Sequence, residues 1–300
     1  RLYPDPECRL LRQSLARAYG TVPQRVFVCN GSDDALNFAF MAFGGAGAAF
    51  ADITYGFYSV FAALHGVECT IVPLRDDFSV DPADYCGVGR TVFIANPNAP
   101  TGLCLSVGQI ERIVESNPGN VVVVDEAYVD FGARSACSLT DKYDNLMVVR
   151  TFSKSRSLAG ARLGFAVAQE PLIRDLELLK YSTNPYNVNR LTLDIGAAAL
   201  QAQPYYDDCC RRIINSRQRA AERLRALGMS VTDSSANFLF ARSPAVGGAE
   251  LYAALKARGV LVRHFDSDRI RDYVRITVGT DAQMDALVSA VKEILEEKTR

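Results

Sequence analysis

Residues 151–164 read TFSKSRSLAGARLG and directly follow an apolar run, Leu146 to Val149. Such a run predicts a buried strand, so Lys154 should lie just past its carboxyl end, where α/β sheets bind their ligands. A lysine in a loop is often only a solvated charge. Here it is flanked by hydroxyl residues and followed by Arg162, a pattern that suits an amine forming a Schiff base beside a bound phosphate.

A second segment supports this interpretation of Lys154. Four valines at 121–124 are typical of a parallel strand buried on both faces, and they lead into DEAY at 125–128. A carboxylate there can pair with a protonated pyridine nitrogen, and Tyr128 can donate to a ring hydroxyl. Asp125 could instead cap a helix, but a cap explains neither Tyr128 nor Lys154. We therefore predict pyridoxal phosphate as the cofactor, with these three residues catalytic.

A third strand end offers a site for the cofactor phosphate. A predicted strand from Arg25 to Cys29 is followed by NGSDD and then by a helix predicted from about Ala35 to Phe43. The amino terminus of a helix has free N–H groups and a favourable dipole, so it binds anions. Gly31, Ser32 and Asp33 are therefore candidates, although Asp33 could merely cap the helix.

Two further loops follow predicted strands. TYGFY at 54–58 could belong to the core or supply a ring that stacks on a planar cofactor, with Tyr55 as first choice and Tyr58 as second. NPNAPTG at 96–102 is too rich in proline for a helix, and its asparagines could reach a ligand.

Strands and helices alternate from residue 24 to about 168, which predicts an α/β domain with a three-layer, mostly parallel sheet. From Ser230 the pattern changes to short strands and two helices, which predicts a smaller α+β domain. We expect an amino-terminal segment at 1–20, a large cofactor-binding domain at 21–204, and a small carboxyl-terminal domain with its linking helix at 205–300.

Composition excludes several classes of function. Thirty-three basic and 34 acidic residues give a net charge of −1, which argues against nucleic-acid or anionic-membrane binding. No apolar run approaches the roughly 18 residues of a membrane span, and we identify no signal peptide. Eight cysteines without a C-x-x-C pair suit reduced thiols in a cytoplasm, and two histidines supply neither a zinc cluster nor a Ser-His-Asp triad well. Neither G-x-G-x-x-G nor a P-loop motif was found at a suitable place.

Seven motifs in order carry a resemblance that covers nearly the whole chain: YPDP, NGSDD, TYGFY, NPNAPTG, DEAY, TFSKSRSLAGARLG and VRITVGT. The set resembles the fold-type I pyridoxal phosphate aminotransferases, and within them it is most similar to the histidinol-phosphate aminotransferase family. The implied reaction transfers the amino group of L-histidinol phosphate to 2-oxoglutarate, giving imidazole acetol phosphate and L-glutamate. The resemblance also implies a cytoplasmic homodimer that acts in histidine biosynthesis.

The resemblance assigns roles to individual residues. Lys154 would form the Schiff base and move the proton, Asp125 would keep the pyridine nitrogen protonated, and Tyr128 would bond the ring oxygen. Arg263 could equally be a surface arginine at a strand end. The implied binding set comprises Ser32, Asp33, Ser153 and Arg162 around the cofactor phosphate, Tyr3 reaching it from the partner subunit, Tyr55 on the ring, Arg275 on the carboxylate of the amino donor, and Arg263 near the substrate phosphate.

Two features depart from the family pattern. Where the family has an asparagine before PTG, this chain has Ala99, so Asn98, our first choice, or Asn96 takes over, or Tyr128 works without that partner. The chain begins at Arg1, and we expect it to lack the family's amino-terminal segment that helps to cover the substrate.

Other functions share the same motifs. An aromatic amino acid aminotransferase or a threonine-phosphate decarboxylase would use the same cofactor. A non-catalytic binding or regulatory protein on this fold is the alternative from a different class.

Overall fold

The computed structural model describes residues 2–299, which form two β-sheets and the helices that cover them. The helices are α1 Arg9–Tyr19, α2 Ser32–Phe43, α3 Phe57–His65, α4 Val107–Glu115, α5 Glu170–Thr183, α6 Arg190–Gln201, α7 Gln203–Ala226, α8 Gly248–Ala257 and α9 Asp281–Thr299. The strands are β1 Val26–Cys29, β2 Ala48–Ala51, β3 Cys69–Val72, β4 Thr91–Ala95, β5 Val122–Asp125, β6 Leu146–Thr151, β7 Gly164–Ala168, β8 Ser230–Val231, β9 Phe238–Arg242, β10 Arg263–His264 and β11 Tyr273–Thr277.

The larger sheet has the strand order β1-β7-β6-β5-β4-β2-β3. Only β7 runs antiparallel to its neighbours β1 and β6, while the other neighbouring strands pair in parallel. The carboxyl ends of β1, β2, β4, β5 and β6 therefore meet at one edge of the sheet. The predicted three-layer, mostly parallel α/β architecture is confirmed.

Different helices cover the two faces of this sheet. Side chains at alternate positions of a strand point to opposite faces, and β5 follows this rule. Val123 lies in one core cluster with Leu36 of α2, whereas Val122 and Val124 lie in another with Ile113 of α4. A strand covered on both sides must be apolar throughout, which explains the run of four valines.

The smaller sheet has the order β10-β11-β9-β8 and is antiparallel throughout. One face packs on α7, α8 and α9 through Val274 and Ile276. The opposite face turns towards the large sheet, where Phe240 packs in one cluster with Phe78 and Ile53. Two separate cores agree with a large and a small domain, but the predicted boundaries at 20 and 204 stay a prediction.

An ion pair joins the two sheets near the end of β2. Arg269, in the loop between β10 and β11, places Nη1 2.5 Å from Oδ2 of Asp52. Its Nη2 also donates to the backbone oxygens of Leu74 at 2.9 Å and Arg75 at 3.0 Å. These contacts fix the smaller sheet beside the edge at which the large parallel strands end.

Some predicted elements were wrong in extent. The helix α2 begins at Ser32, three residues before the predicted Ala35, so the phosphate candidates lie in its first turn. The apolar run at 260–262, one of the short strands predicted after Ser230, forms no strand, and the edge strand of the smaller sheet is β10 instead. Leu261 is 76% exposed, while Val260 and Val262 are partly buried against the core beneath the smaller sheet.

Two helices were not predicted. The segment that forms α3 was interpreted as an aromatic loop, although Tyr58 and Phe61 lie at helical spacing and are both buried. The start of α6 could have been predicted from Asn189, a residue type that often caps helices. Asn189 is the N-cap of α6 and accepts a hydrogen bond from the Thr192 amide.

Three further findings bear on the excluded classes of function. In residues 2–299 no helix is long and apolar enough to cross a membrane. All eight cysteines are free thiols. The described residues contain no group of three or more His, Cys, Asp or Glu side chains arranged to hold a metal ion.

We predict that Gly164→Ala destabilises the protein. A Cβ at Gly164 would lie 2.4 Å from the Ser32 nitrogen and 2.5 Å from the Gly31 carbonyl carbon, so the start of α2 would have to shift. Such overpacking should lower the free energy of unfolding by about 1–3 kcal/mol, measured by urea denaturation. Gly160→Ala is the control, because a Cβ there meets no atom within 4 Å. Equal stability of the two variants would contradict this packing argument.

Candidate active site

A cavity of about 140 Å³ opens at the edge where the parallel strands end. Most of the predicted cofactor residues line it, and they come from strand ends that are far apart in the sequence. The lining consists of Ser32, Asp33, Tyr55, Ala95, Pro97, Ala99, Asp125, Ala127, Tyr128, Thr151, Ser153, Lys154, Ala159 and Arg162.

Lys154 lies in a tight turn just after β6. The turn is closed by two backbone hydrogen bonds, from Ser157 to the Lys154 oxygen at 3.1 Å and from Leu158 to the Phe152 oxygen at 3.0 Å. The Lys154 side chain is half-buried, and its Nζ lies 5.2 Å from the ring centroid of Tyr128. Within residues 2–299 this amine makes no hydrogen bond or ion pair, so it is available to a ligand in the cavity.

Asp125 ends β5 and is only 6% exposed. Its Oδ1 accepts from the Ala127 amide at 3.1 Å and its Oδ2 from the Tyr58 hydroxyl at 3.2 Å. Burial raises the pKa of Asp125 to about 6 and the Asp33 carboxylate adds to this, while the two hydrogen bonds and Lys154 oppose it. A buried carboxylate of this kind favours a cationic partner.

Tyr58 has a role that the sequence did not reveal. It was our second choice for stacking on a cofactor, but its side chain is fully buried and its hydroxyl holds Asp125. Burial, followed by the neighbouring Asp125 carboxylate, raises the pKa of Tyr58 well above its ordinary value, so it remains a donor.

The first turn of α2 forms one end of the cavity, which Ser32 and Asp33 line. Gly31 has φ +85°, and a Cβ there would lie 2.6 Å from Nη2 of Arg162, so only glycine lets this arginine approach. Arg162 Nη2 lies 3.3 Å from Oδ2 of Asp33. Since Asp33 also accepts from the Tyr55 hydroxyl at 2.8 Å, its carboxylate orients side chains rather than capping α2. The first N–H groups of a helix have no partner within the helix, so this turn can bind an anion.

Ser153 and Tyr55 complete the cavity wall. The Ser153 hydroxyl accepts from Thr151 Oγ1 at 2.9 Å, which orients it beside Lys154. Tyr55 packs edge-on to Tyr58 with ring centroids 5.7 Å apart, and burial together with the Asp33 hydrogen bond raises its pKa. Stacking of Tyr55 on a cofactor ring stays a prediction.

The choice of Asn98 as cofactor ligand is not supported. Its Nδ2 donates to the Ile53 oxygen at 2.9 Å and to Thr101 Oγ1 at 3.2 Å, and its Oδ1 accepts from Thr54 at 2.8 Å. These bonds saturate the amide inside the fold, and Asn98 does not line the cavity. It therefore stabilises the loop instead of replacing the family's asparagine.

Asn96 does not take over either. Its amide forms a reciprocal pair with the backbone of Leu105, at 3.2 Å and 2.7 Å. The side chain that faces the cavity from this loop is Ala99, which packs in one cluster with Tyr128. The remaining alternative is that Tyr128 acts without an asparagine partner.

Arg275 is separated from Tyr128, which lines the cavity, by the ring of Phe238. Its guanidinium lies 5.1 Å from the Phe238 ring, and that ring lies 5.0 Å from the ring of Tyr128. Arg263 is directly opposite Arg275 in the pairing of β10 with β11. Neither arginine lines the cavity, and neither forms an ion pair in the described part of the chain, so both charges are available to an anionic ligand.

Tyr3 is not part of the cavity of its own chain. Its ring is 75% exposed and stacks on Tyr186 with centroids 4.5 Å apart. Its predicted approach to the phosphate from a partner subunit stays a prediction.

The donor set meets the chemical requirements of pyridoxal phosphate. An unpaired amine, a buried carboxylate and an anion-binding helix terminus surround one cavity, with aromatic side chains between them. These groups match an aldehyde, a pyridine nitrogen and a phosphate.

Comparison with known proteins identifies the family. A family model described as aminotransferase class I and II matches residues 1–291. The chain belongs to this family. Among curated relatives of this class I and II aminotransferase, histidinol-phosphate aminotransferase of Brachyspira hyodysenteriae is 46% identical over 299 residues, covering 99% of this chain and 84% of that protein. Histidinol-phosphate aminotransferase 1 of Bordetella parapertussis is 50% identical over 299 residues, covering 98% and 84%.

A solved structure of the family resembles this aminotransferase closely. It is the histidinol-phosphate aminotransferase of Sinorhizobium meliloti in complex with pyridoxal 5′-phosphate, with a TM-score of 0.87 and 27% identity. The match covers 99% of this chain and 83% of that one.

We predict that Asp125 makes the stability of the cofactor-free aminotransferase fall as pH rises. The pKa of Asp125 is about 6 in the folded protein against an ordinary 3.8, so the unfolded chain loses this proton first. The free energy of unfolding should fall between about pH 4 and about pH 6, by about 3 kcal/mol relative to Asp125→Asn. Urea denaturation of both proteins across this range measures the difference. A difference that is constant with pH would contradict the raised pKa.

Proposed function

We propose that this chain is a pyridoxal phosphate-dependent histidinol-phosphate aminotransferase, acting in the cytoplasm in histidine biosynthesis. The observation that carries the proposal is the convergence of Lys154, Asp125 and the start of α2 on one cavity. Relatives of that name at 46–50% identity over nearly the whole chain support the choice of substrate.

Each part of the cofactor has a group to hold it. The α2 terminus, Ser32, Ser153 and Arg162 would bind the phosphate, and Asp125 would face the pyridine nitrogen. A positive ring nitrogen would stabilise the ionised form of Asp125, which burial otherwise disfavours. When bound, pyridoxal phosphate supplies an electrophilic carbonyl and accepts the electron pair left at the substrate Cα.

Lys154 would serve twice. Its Nζ, which has no hydrogen-bond partner in residues 2–299, would hold the cofactor through its carbonyl carbon. The same amine, when free, would hold or move the proton at the substrate Cα. Tyr128, whose ring faces Nζ at 5.2 Å, limits where that amine can move.

The arginine pair would select the two amino donors. Glutamate carries a carboxylate and histidinol phosphate carries a phosphate, and a guanidinium binds either group in a bidentate manner. Arg275 is partly buried over Phe238 and would take the carboxylate, while the exposed Arg263 would take the phosphate. Their directly opposite positions on β10 and β11 support a site in which both side chains contact one ligand.

We predict that amino transfer from histidinol phosphate to 2-oxoglutarate is much faster than transfer from phenylalanine, because only the phosphate can use Arg263. A coupled assay of glutamate formation gives kcat/KM for each donor. Threonine phosphate should release no CO₂. Preferred turnover of phenylalanine, or CO₂ release from threonine phosphate, would contradict the assignment in favour of the corresponding relative.

Variants of the arginines provide the matched control for this assay. Arg263→Ala should lower kcat/KM for histidinol phosphate by about 10–100-fold, the usual effect of losing a charged hydrogen bond, and affect glutamate less. Arg271→Ala should leave both values unchanged, because Arg271 pairs only with Asp268 of its own loop. An equal effect of the two substitutions would remove Arg263 from the substrate site.

We further propose that two copies pair through the face formed by α1 and α6. These helices pack together and expose Leu10, Leu191 and Ile195, which are 60%, 73% and 45% exposed. Tyr3 lies next to this face, since Arg190 at the start of α6 donates to its backbone oxygen at 3.4 Å. Pairing here would carry Tyr3 towards the partner's cavity.

We expect Leu191→Glu to convert a dimer into a monomer, because it buries a charge in the proposed interface. Sedimentation velocity measures the change. Leu261→Glu, at an exposed leucine just before β10, should leave the dimer intact. A monomeric wild type, or a dimeric Leu191→Glu variant, would contradict this interface.

A further inference from the structure

A charged network lies beside the cavity without lining it. It contains Glu126, Asp130, Arg150 and Arg156, and all but Asp130 are less than 6% exposed. The Arg150 guanidinium binds Glu126 at 3.3 Å and also binds Asp130. Arg156 Nη1 lies 3.6 Å from Oδ2 of Asp130. None of the roles proposed above uses these four side chains.

The network joins the two segments that carry Tyr128 and Lys154. Asp130 lies two residues after Tyr128, in the turn Val129–Phe131. Ser155 directly follows Lys154 and is 7% exposed, and its hydroxyl donates a hydrogen bond to Oδ2 of Asp130. One carboxylate therefore connects the tyrosine segment to the lysine segment.

The other side of Lys154 is anchored differently. Ser153 bonds Thr151 through both its amide, at 3.1 Å, and its hydroxyl, at 2.9 Å. Both residues belong to the segment that carries Lys154. These two bonds therefore stabilise the turn but do not connect it to the segment that carries Tyr128. Of the side-chain hydrogen bonds formed by the residues flanking Lys154, only that of Ser155 reaches the tyrosine segment.

Asp130 is held in its ionised form. Its burial would raise the pKa, but Arg150, the Ser155 hydroxyl and Arg156 outweigh burial and hold the pKa below its ordinary value. The positive charges of Arg150 and Arg156 are balanced by the carboxylates of Glu126 and Asp130. Loss of either carboxylate would leave a buried positive charge without a counter-ion. A permanent carboxylate is also the stronger acceptor for Ser155.

We propose that Asp130 is a positioning residue that, through Ser155, sets where Lys154 stands relative to Tyr128. This proposal rests on the function proposed above. The connection matters because an amine that must reach both a cofactor and a substrate Cα tolerates little displacement, and an error of about 1 Å can cost about 100-fold in rate. Asp130 itself touches neither ligand.

The test compares two serine variants that are matched chemically. Ser155→Ala removes the hydroxyl donor to Asp130, and Ser135→Ala removes a hydroxyl donor to Glu126, at 2.6 Å. Ser155→Ala should lower the free energy of unfolding by about 1 kcal/mol, the usual contribution of one hydrogen bond. Ser135→Ala should lower it at least as much, because the Ser135 hydroxyl also accepts from the Cys137 amide at 3.1 Å. Only Ser155→Ala should alter the position of Lys154.

The decisive readout is the pH at which the visible absorbance band of bound pyridoxal phosphate is half-converted. We expect Ser155→Ala to shift this midpoint and to lower kcat about tenfold or more with little change in KM. Ser135→Ala should leave the midpoint and kcat at the wild-type values. Equal midpoints in the two variants would overturn the positioning role.

A double-mutant cycle tests whether Asp130 and Ser155 act as one unit. Asp130→Ala should shift the midpoint at least as far as Ser155→Ala, and combining the two should add nothing further. Additive shifts would overturn the proposal. If Asp130→Ala does not fold, the serine pair decides alone.

The wild-type protein separates this proposal from the function on which it rests. A wild type that develops no visible band with pyridoxal phosphate overturns both. A wild-type band with an unchanged midpoint in Ser155→Ala overturns only the role of Asp130.

Discussion

The parallel alignment of β5 with β6 is the constraint on which the site depends. Their register pairs Asp125 with Val149, so both strands end at the same edge of the sheet. From there β5 ends on a carboxylate, and β6 continues by two residues into the turn that holds Lys154. Since β1 ends at the same edge, the start of α2 faces both. No contact between side chains could assemble these three groups if the strands ran in opposite directions.

The electrostatics of the cavity follow from this placement. Burial raises the pKa of Asp125, and the hydroxyl of Tyr58 only partly compensates, so the cavity contains an acid that a positive ring would stabilise. The Lys154 amine and the guanidinium of Arg162 stand at other points of the wall. A ligand with a cationic ring, an electrophilic carbon and a phosphate would satisfy all three groups at once. This explains why the amine of Lys154 has no partner in the part of the chain that the structure describes.

Much of this could be predicted from sequence because each signal was local. Buried runs of valine marked the strands, and the polar residues just after them marked the cavity. What failed depends on distant contacts. Asn98 was an acceptable ligand until the fold showed its amide bound to Ile53 and Thr54. Tyr58 was only the second choice for a stacking ring, and no sequence pattern could show that its hydroxyl donates to Asp125. The network around Asp130 was missed for the same reason.

The central claim is that Lys154 and Asp125 serve opposite ends of one ring. A crystal structure of the protein crystallised with pyridoxal phosphate tests this most directly. The account predicts continuous density from Nζ of Lys154 to the cofactor, the pyridine nitrogen within hydrogen-bond distance of the Asp125 carboxylate, and the phosphate at the start of α2. Density for the cofactor elsewhere, or a ring whose nitrogen faces away from Asp125, would contradict the account.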